Sequence, residues 1–135
     1  MNGTASVSVV IIFRDAERFL TEAVASIFAQ TFKNWELLLV DDGSVDGSTA
    51  LAVACADEYP RQVRYLAHPG HANRGMSASR NLGIRHARGA YLAFLDADDV
   101  LFTPALEDQV ALLDAWPAAA MVYGPIQWWH SCMLC

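Results

Sequence analysis

The chain has 135 residues, of which 54% are hydrophobic and 18% are charged, so it can fold around one core and is not intrinsically disordered. Its formal net charge is −6, and the single lysine, Lys33, stands beside eight arginines. This balance argues against nucleic acid as a partner, because a nucleic-acid-binding protein needs a basic face. An anionic ligand would need a metal ion or local arginines.

The two ends of the chain bear on its location and association. The N-terminus lacks the basic start and apolar core of a signal peptide, which predicts a cytoplasmic location, including a peripheral position at the inner face of the membrane. Residues 115–135 contain no Asp, Glu, Lys or Arg. We expect this apolar tail to favour self-association and the chain to be truncated relative to its native product.

Apolar runs alternate with helix-type periodicity along the whole chain. In chain order, the pattern predicts a strand over 7–13, a helix that Asp15 caps and that runs to residue 28, a strand over 35–41, a helix over 49–59, a strand over 63–66, a helix over 76–88, a strand over 91–95, a helix over 103–116 and a strand over 120–123. This alternation predicts one α/β domain over residues 1–135, with a mostly parallel sheet and helices on both faces.

Acidic residues follow three of the predicted strands. They are Asp15 after the first strand, Asp41 and Asp42 after the second, and Asp96, Asp98 and Asp99 after the strand that begins at Tyr91. The carboxyl ends of parallel strands share one sheet edge, so these side chains are expected to meet in one ligand site. Crowded carboxylates need a cation, and oxygen ligands suit Mg²⁺ or Mn²⁺. The alternative for the last group is an acidic turn that caps the next helix.

Two common nucleotide-binding loops are absent from the sequence. The segment after the first strand, residues 14–18, has no glycine, which excludes the usual dinucleotide-binding fingerprint. The segment 43–47 has glycine at both ends but lacks the Gly-Lys-Ser/Thr ending of a phosphate loop. We therefore expect neither a classical dinucleotide fold nor phosphate-loop nucleotide hydrolysis.

Several segments in order resemble the family 2 glycosyltransferases; they are residues 7–12, 26–32, 36–46, 73–75, 79–84 and 87–99. The resemblance covers nearly the whole chain and implies the nucleotide-sugar-binding half of a GT-A fold. It further implies inverting transfer from a nucleotide-diphospho-sugar, of the UDP type, to a hydroxyl acceptor on a saccharide or a lipid-linked glycan.

The resemblance also implies roles for residues around the nucleoside. The backbone at Ile12 and Phe13 and the side chain of Asp15 would border it, and Asp42 would accept a hydrogen bond from the uracil N3–H. Arg80 would reach the base or a phosphate through its planar guanidinium. The segment 12–15 reads Ile-Phe-Arg-Asp where the family usually has Pro-x-Tyr-Asn, so the nucleoside pocket is expected to differ in shape.

The segment from Asp96 to Asp99 would form the metal-binding part of the site. By the same resemblance, Asp98 would ligate Mn²⁺ or Mg²⁺ on the diphosphate, and Asp96 would contact the ribose or the metal. Asp99 would contact the sugar or support the metal ligands, and Ala97 would belong to the nucleotide-sugar-binding segment. The general base of inverting members is expected beyond Cys135, since no carboxylate follows Asp114. The resemblance therefore predicts donor binding without efficient transfer.

Two other functions remain open at this point. The chain could be a scaffold that keeps the fold and binds nothing. It could also be a phosphorelay receiver, in which Asp41, Asp42 and Asp96 would hold Mg²⁺. A receiver needs a late lysine, and no lysine follows Lys33.

Overall fold

The computed structural model describes residues 6–124, which form a four-stranded parallel sheet with four α-helices. In chain order the elements are β1 (Val7–Phe13), α1 (Leu20–Phe28), β2 (Trp35–Asp41), α2 (Ser48–Glu58), β3 (Val63–Ala67), a 3₁₀ turn (Pro69–His71), α3 (Met76–His86), β4 (Tyr91–Asp96) and α4 (Ala105–Ala115). The strand order is β3-β2-β1-β4, and each neighbouring pair is parallel. The predicted alternation and the mostly parallel sheet are confirmed.

The two central strands are apolar on both faces, which is why helices cover the sheet on both sides. One face of β1 and β2 packs with residues of α1, α2 and α4 in the larger core cluster. On the other face, Val10, Leu38 and Val40 form a smaller cluster against Leu82 of α3. The predicted two-sided arrangement is therefore confirmed.

Gly83 explains how closely α3 approaches the sheet. A Cβ atom at this position would lie 2.6 Å from Cγ1 of Val10, which is closer than packed carbon atoms allow. A side chain here would push α3 away from β1. The glycine thus holds the helix that carries Arg80 close to the sheet.

Two local predictions at Asp15 and residues 120–123 are wrong. Asp15 does not cap α1, which begins at Leu20; its backbone has a φ of +51°, and its carboxylate accepts from loop N–H groups instead. The segment 120–123 is not a strand, and Met121 and Tyr123 are 76% and 85% exposed. An apolar run forms a strand only where a neighbour pairs with it, and none of the four described strands does so.

Glu36 is the centre of a polar network at the amino ends of the strands. It accepts from Oγ of Ser8 at 2.6 Å, from the Arg88 N–H at 2.7 Å and from the Arg64 guanidinium at 2.7 Å. Burial alone would raise the pKa of Glu36, but these hydrogen bonds and the Arg64 charge outweigh it and hold the pKa below its ordinary value. The bond to Arg88 also accounts for the end of α3 at His86, two residues before the predicted end.

Between residues 6 and 124, no helix combines the length and the apolar character that a bilayer crossing requires. The last part of the predicted apolar tail, residues 125–135, lies outside the described residues. The expected self-association through that tail stays a prediction.

Candidate functional site

Strand register brings the predicted site residues to one edge of the sheet. Ile12 of β1 pairs with Asp96 of β4 on one side and Val40 of β2 on the other, and Phe13 pairs with Asp41. The N–H of Asp42 then donates to the Phe13 carbonyl at 2.9 Å. The carboxyl ends of β1, β2 and β4 therefore meet at the edge where ligands bind in open α/β sheets.

Asp96, Asp98 and Asp99 form an acidic cluster at this edge. One oxygen of each carboxylate lies within 4.8 Å of the others, and all three side chains are exposed. The Asp99 N–H donates to the Asp96 carbonyl at 3.0 Å, which closes a tight turn. Ala97 between them is 8% exposed and belongs to the core, so its neighbours project outward.

The three carboxylates of the acidic cluster repel one another, and a bound cation would relieve this repulsion. Partial burial raises the pKa of Asp99, and the neighbouring charges of Asp98 and Asp96 raise it further. Hard oxygen ligands at this spacing suit a divalent cation such as Mg²⁺ or Mn²⁺. The donor set and its geometry therefore fit the predicted metal.

Asp42 is buried, with 4% of its surface exposed, and it holds the loop that precedes α3. Its carboxylate accepts from the Arg74 N–H at 2.8 Å and from the Gly75 N–H at 3.1 Å. A carboxylate offers about four lone-pair sites, so room remains for one further donor. Gly43 beside it has a φ of +80°, and a Cβ there would lie 2.8 Å from the backbone nitrogen of Asn73.

Asp41, the other member of the pair, has a structural role. It is fully buried and accepts from the Ser44 N–H at 2.8 Å, the Thr49 hydroxyl at 2.5 Å and the Tyr65 hydroxyl at 3.0 Å. Burial opposes ionisation, yet these hydrogen bonds hold the pKa of Asp41 below its ordinary value. Burial and the carboxylate of Asp41 in turn raise the pKa of Tyr65 to about 12, so its hydroxyl stays a donor.

Carboxylates occupy the N–H groups of the loop after β2. Asp15 accepts from the Val45 and Asp46 N–H groups at 2.7 and 3.2 Å, and Glu17 accepts from the Gly47 N–H at 3.2 Å. Asp46 itself accepts from the Ser48 N–H at 2.9 Å. With the Ser44 N–H bound to Asp41, the N–H groups of residues 44–48 are all taken by carboxylates, which agrees with the expectation that this is not a phosphate loop.

Ile12, Phe13 and Arg80 lie near the same edge. Phe13 is 2% exposed, so only its backbone can border a ligand, while Ile12 is half-buried. Arg80 projects from α3 with its Cζ atom 5.8 Å from the ring centre of Phe94, a cation–π contact. Phe94 lies two residues before Asp96 on the same side of β4, so Arg80 reaches the strand that carries the acidic cluster.

Sequence reasoning missed two buried polar residues. Gln30, in the segment 26–32, is fully buried at the end of α1. His68 is 9% exposed; its Nε2 atom lies 2.9 Å from Oγ of Ser79 and 4.0 Å from a carboxylate oxygen of Asp42. The only signal in the sequence was a polar residue next to apolar ones, which does not reveal a distant partner.

Comparison with known proteins identifies the family. The sequence profile described as Glycosyl transferase family 2 matches residues 8–127. The chain belongs to this family. It is 40% identical over 114 residues to EpsE of Bacillus subtilis (strain 168), provisionally named a glycosyltransferase, and the match covers 84% of this chain and 40% of EpsE. The chain thus spans less than half of that relative, and its family membership excludes the alternative of a phosphorelay receiver.

Solved structures confirm the GT-A fold. Residues 1–349 of Staphylococcus aureus TarS in complex with UDP-GlcNAc match at a TM-score of 0.67 and 26% identity, covering 82% of this chain and 31% of the TarS chain. The mannosyltransferase PcManGT of Pyrobaculum calidifontis, in complex with GDP-Man and Mn²⁺, matches at a TM-score of 0.70 and 23% identity, covering 89% and 34% of the two chains. The α/β fold predicted from the sequence is therefore the GT-A fold.

Proposed function

We propose that residues 1–135 are the donor-binding half of an inverting glycosyltransferase, which binds a nucleotide-diphospho-sugar of the UDP type together with a divalent cation. The observation that carries this proposal is the acidic cluster, with three carboxylates within 4.8 Å of one another at the carboxyl edge of the sheet. The loop that Asp42 fixes ends at the same edge. The same sheet edge thus offers carboxylate ligands for a cation and, next to them, a loop that Asp42 holds in place.

In the metal-binding part, Asp98 and Asp96 are the proposed ligands of Mn²⁺ or Mg²⁺, while Asp99 and the backbone at Ala97 face the sugar. Bound there, the cation would neutralise the charge that develops on the departing nucleoside diphosphate. The chain's own contribution is rigidity: β4 pairs with β1, and the buried Ala97 fixes the direction in which Asp96 and Asp98 project.

In the nucleoside-binding part, the backbone at Ile12 and Phe13 and the side chain of Asp15 border the base, and Asp42 accepts from it. The spare lone-pair site of Asp42 supports this role, because uracil presents one N–H at its edge. Arg80 is proposed to meet a phosphate, since its guanidinium is held over Phe94 on the strand of the acidic cluster.

The solved structures support a nucleotide-sugar donor, and their ligands contain two different bases, uracil and guanine. TarS was solved with UDP-GlcNAc and PcManGT with GDP-Man. The single spare lone-pair site of Asp42 favours uracil for this chain, because uracil presents one N–H at its edge whereas guanine presents two neighbouring donors. The acceptor is proposed to be a hydroxyl of a saccharide or a lipid-linked glycan.

Calorimetric titration of UDP, with and without Mn²⁺, tests the proposal, and GDP serves as the competing ligand. We expect UDP to bind tightly only with Mn²⁺, and Asp98→Ala to abolish the metal dependence. Asp57→Ala is the matched control, because it removes the same charge from an exposed position near the end of α2. A folded wild-type chain that gives no heat with either nucleotide would favour the scaffold alternative.

We also propose that this chain binds the donor without transferring the sugar at an appreciable rate. No Asp or Glu follows Asp114, and this proposal assigns the carboxylates of the acidic cluster to the cation and the sugar rather than to deprotonating an acceptor hydroxyl. Release of UDP from UDP-sugars in the presence of simple hydroxyl acceptors measures this directly. Turnover above the rate of the Asp98→Ala variant would refute it.

A further inference from the structure

Gln30 is a fully buried amide at the carboxyl end of α1, and its hydrogen bonds reach across the chain to the segment that follows the acidic cluster. Its Nε2 group donates to the Phe102 carbonyl at 2.7 Å and to the Ser26 carbonyl at 3.1 Å. Its Oε1 atom accepts from the Leu106 N–H at 3.0 Å. One side chain thus joins the end of α1 to the start of α4.

Two neighbours of Gln30 strengthen the same connection. The Ser26 hydroxyl accepts from the Leu101 N–H at 3.1 Å, and the Thr31 N–H donates to the Thr103 carbonyl at 3.1 Å. Residues 101–106 are therefore attached to α1 by hydrogen bonds that span more than 70 positions of sequence. None of these bonds belongs to a regular helix or strand.

The acidic cluster lies between two fixed points. Upstream, Asp96 ends β4 and pairs with Ile12 of β1. Downstream, residues 101–106 are held by α1, and Leu101 packs against the core. Asp98 and Asp99 lie in the short exposed stretch between these points, so its downstream anchor sets where their carboxylates stand relative to Asp96.

We propose that Gln30 is a positioning residue of the acidic cluster, acting through residues 101–106 to keep Asp98 within reach of the cation that it would share with Asp96. This inference rests on the proposed function, in which Asp96 and Asp98 hold a metal. An amide suits the task because it donates and accepts at once, whereas a carboxylate would present no donor to the Phe102 carbonyl. Without the amide, the buried Leu106 N–H and the carbonyls of Ser26 and Phe102 lose a partner.

Mn²⁺ binding to the metal-free chain tests the inference, with electron paramagnetic resonance to count free Mn²⁺ and circular dichroism to establish that each variant is folded. We expect Gln30→Met, which keeps the volume and removes the polar atoms, to weaken Mn²⁺ binding about tenfold or more. Ser8→Ala is the control, because it removes buried hydrogen bonds at the opposite end of the sheet and should leave Mn²⁺ affinity unchanged.

A purely structural glutamine would lower stability in Gln30→Met without changing the Mn²⁺ affinity of the folded fraction, and that result would overturn the inference. If Gln30→Met does not fold, Ser26→Ala replaces it, since it removes only the bond to Leu101 from the downstream anchor; a Kd equal to wild type would then overturn the inference. Absence of Mn²⁺ binding by the wild-type chain would instead refute the proposed function.

Discussion

Carboxylates stand at both ends of the sheet, and their surroundings differ. Glu36 at the amino end is 7% exposed and accepts hydrogen bonds from Ser8, Arg64 and Arg88. Asp98 and Asp99 at the carboxyl end are exposed and crowd each other. A carboxylate whose partners belong to the fold stabilises the fold, whereas a group of carboxylates left unpaired among the described residues is available to an external cation.

The pair Asp41 and Asp42 shows the same contrast within two residues. The donors to Asp41 come from the turn, α2 and β3 beside it, so it stabilises the β2–α2 connection. Asp42 accepts from the loop before α3 and keeps one lone-pair site for a further donor. Of these two adjacent acids, Asp41 thus serves the fold, and Asp42 is the one proposed to accept from a ligand.

The largest effect is expected at the amino end, from Glu36→Gln. The change leaves Arg64 without its ion pair. It also turns the amide N–H groups either toward the Arg64 guanidinium or toward the Ser8 hydroxyl and the Arg88 N–H, so we expect a loss of about 2–3 kcal/mol in the free energy of unfolding. Urea denaturation measures it, and Mn²⁺ affinity should stay at the wild-type value. Glu22→Gln is the control, because Glu22 is exposed on α1. An equal loss of unfolding free energy in this variant would show that the buried partners of Glu36 do not stabilise the fold.

A second large effect is expected from Gly43→Ala beside Asp42. The alanine would adopt a φ of +80° and its Cβ would lie 2.8 Å from the Asn73 nitrogen, so we expect a loss of about 2 kcal/mol and weaker UDP binding. Gly70→Ala separates the two causes, because Gly70 has a φ of +69° with no atom within 4 Å of the added Cβ. Equal losses in the two variants would show that the loop contact at residue 43 contributes nothing.

The sequence predicted the scaffold better than the assignments within the site. Continuous Val, Ile and Leu runs identified β1 and β2, and the shared edge of parallel strands correctly brought Asp42 and Asp96 to one place. The run at 120–123 is also apolar but pairs with none of the described strands, so apolar character alone predicted a strand that does not form. Periodicity reports burial, whereas pairing depends on the rest of the fold.

The roles of Asp15, Asp41 and Gln30 could not be read from the sequence for a related reason. Each depends on hydrogen-bond partners that are distant along the chain, such as Val45 for Asp15 and Phe102 for Gln30. An acid after a strand looks the same whether it caps its own helix, as predicted for Asp15, or a loop 30 residues away. Local sequence patterns predict which residue types lie at the edge of the sheet. The tertiary contacts determine the role of each residue.

A smaller effect is expected from acid on the Glu36 network. The pKa of folded Glu36 lies below its ordinary value of 4.5, so its contribution to stability is fully present above that value and is lost as pH falls through the lower folded pKa. The gap in unfolding free energy between wild type and Glu36→Gln should therefore be constant from pH 7 to about 5 and shrink below it. Asp41 is present in both chains, so its own pH dependence cancels in this difference. A difference in unfolding free energy that widens in acid would contradict the stabilising role of the Glu36 carboxylate.

The smallest effect has the opposite sign and lies at the carboxyl end, in Asp98→Asn. Without metal, the substitution removes one of three crowded charges, and the pKa of Asp99 should move back toward its ordinary value. We expect the Tm of the metal-free chain to rise by about 1 °C, measured by calorimetry in the presence of a chelator. Added Mn²⁺ should reverse the order, because it stabilises the wild-type chain and not the variant. Asp57→Asn, the control, should change neither the Tm of the metal-free chain nor the Tm with Mn²⁺. If metal-free Asp98→Asn instead had a Tm several degrees lower, Asp98 would stabilise the fold as Glu36 does.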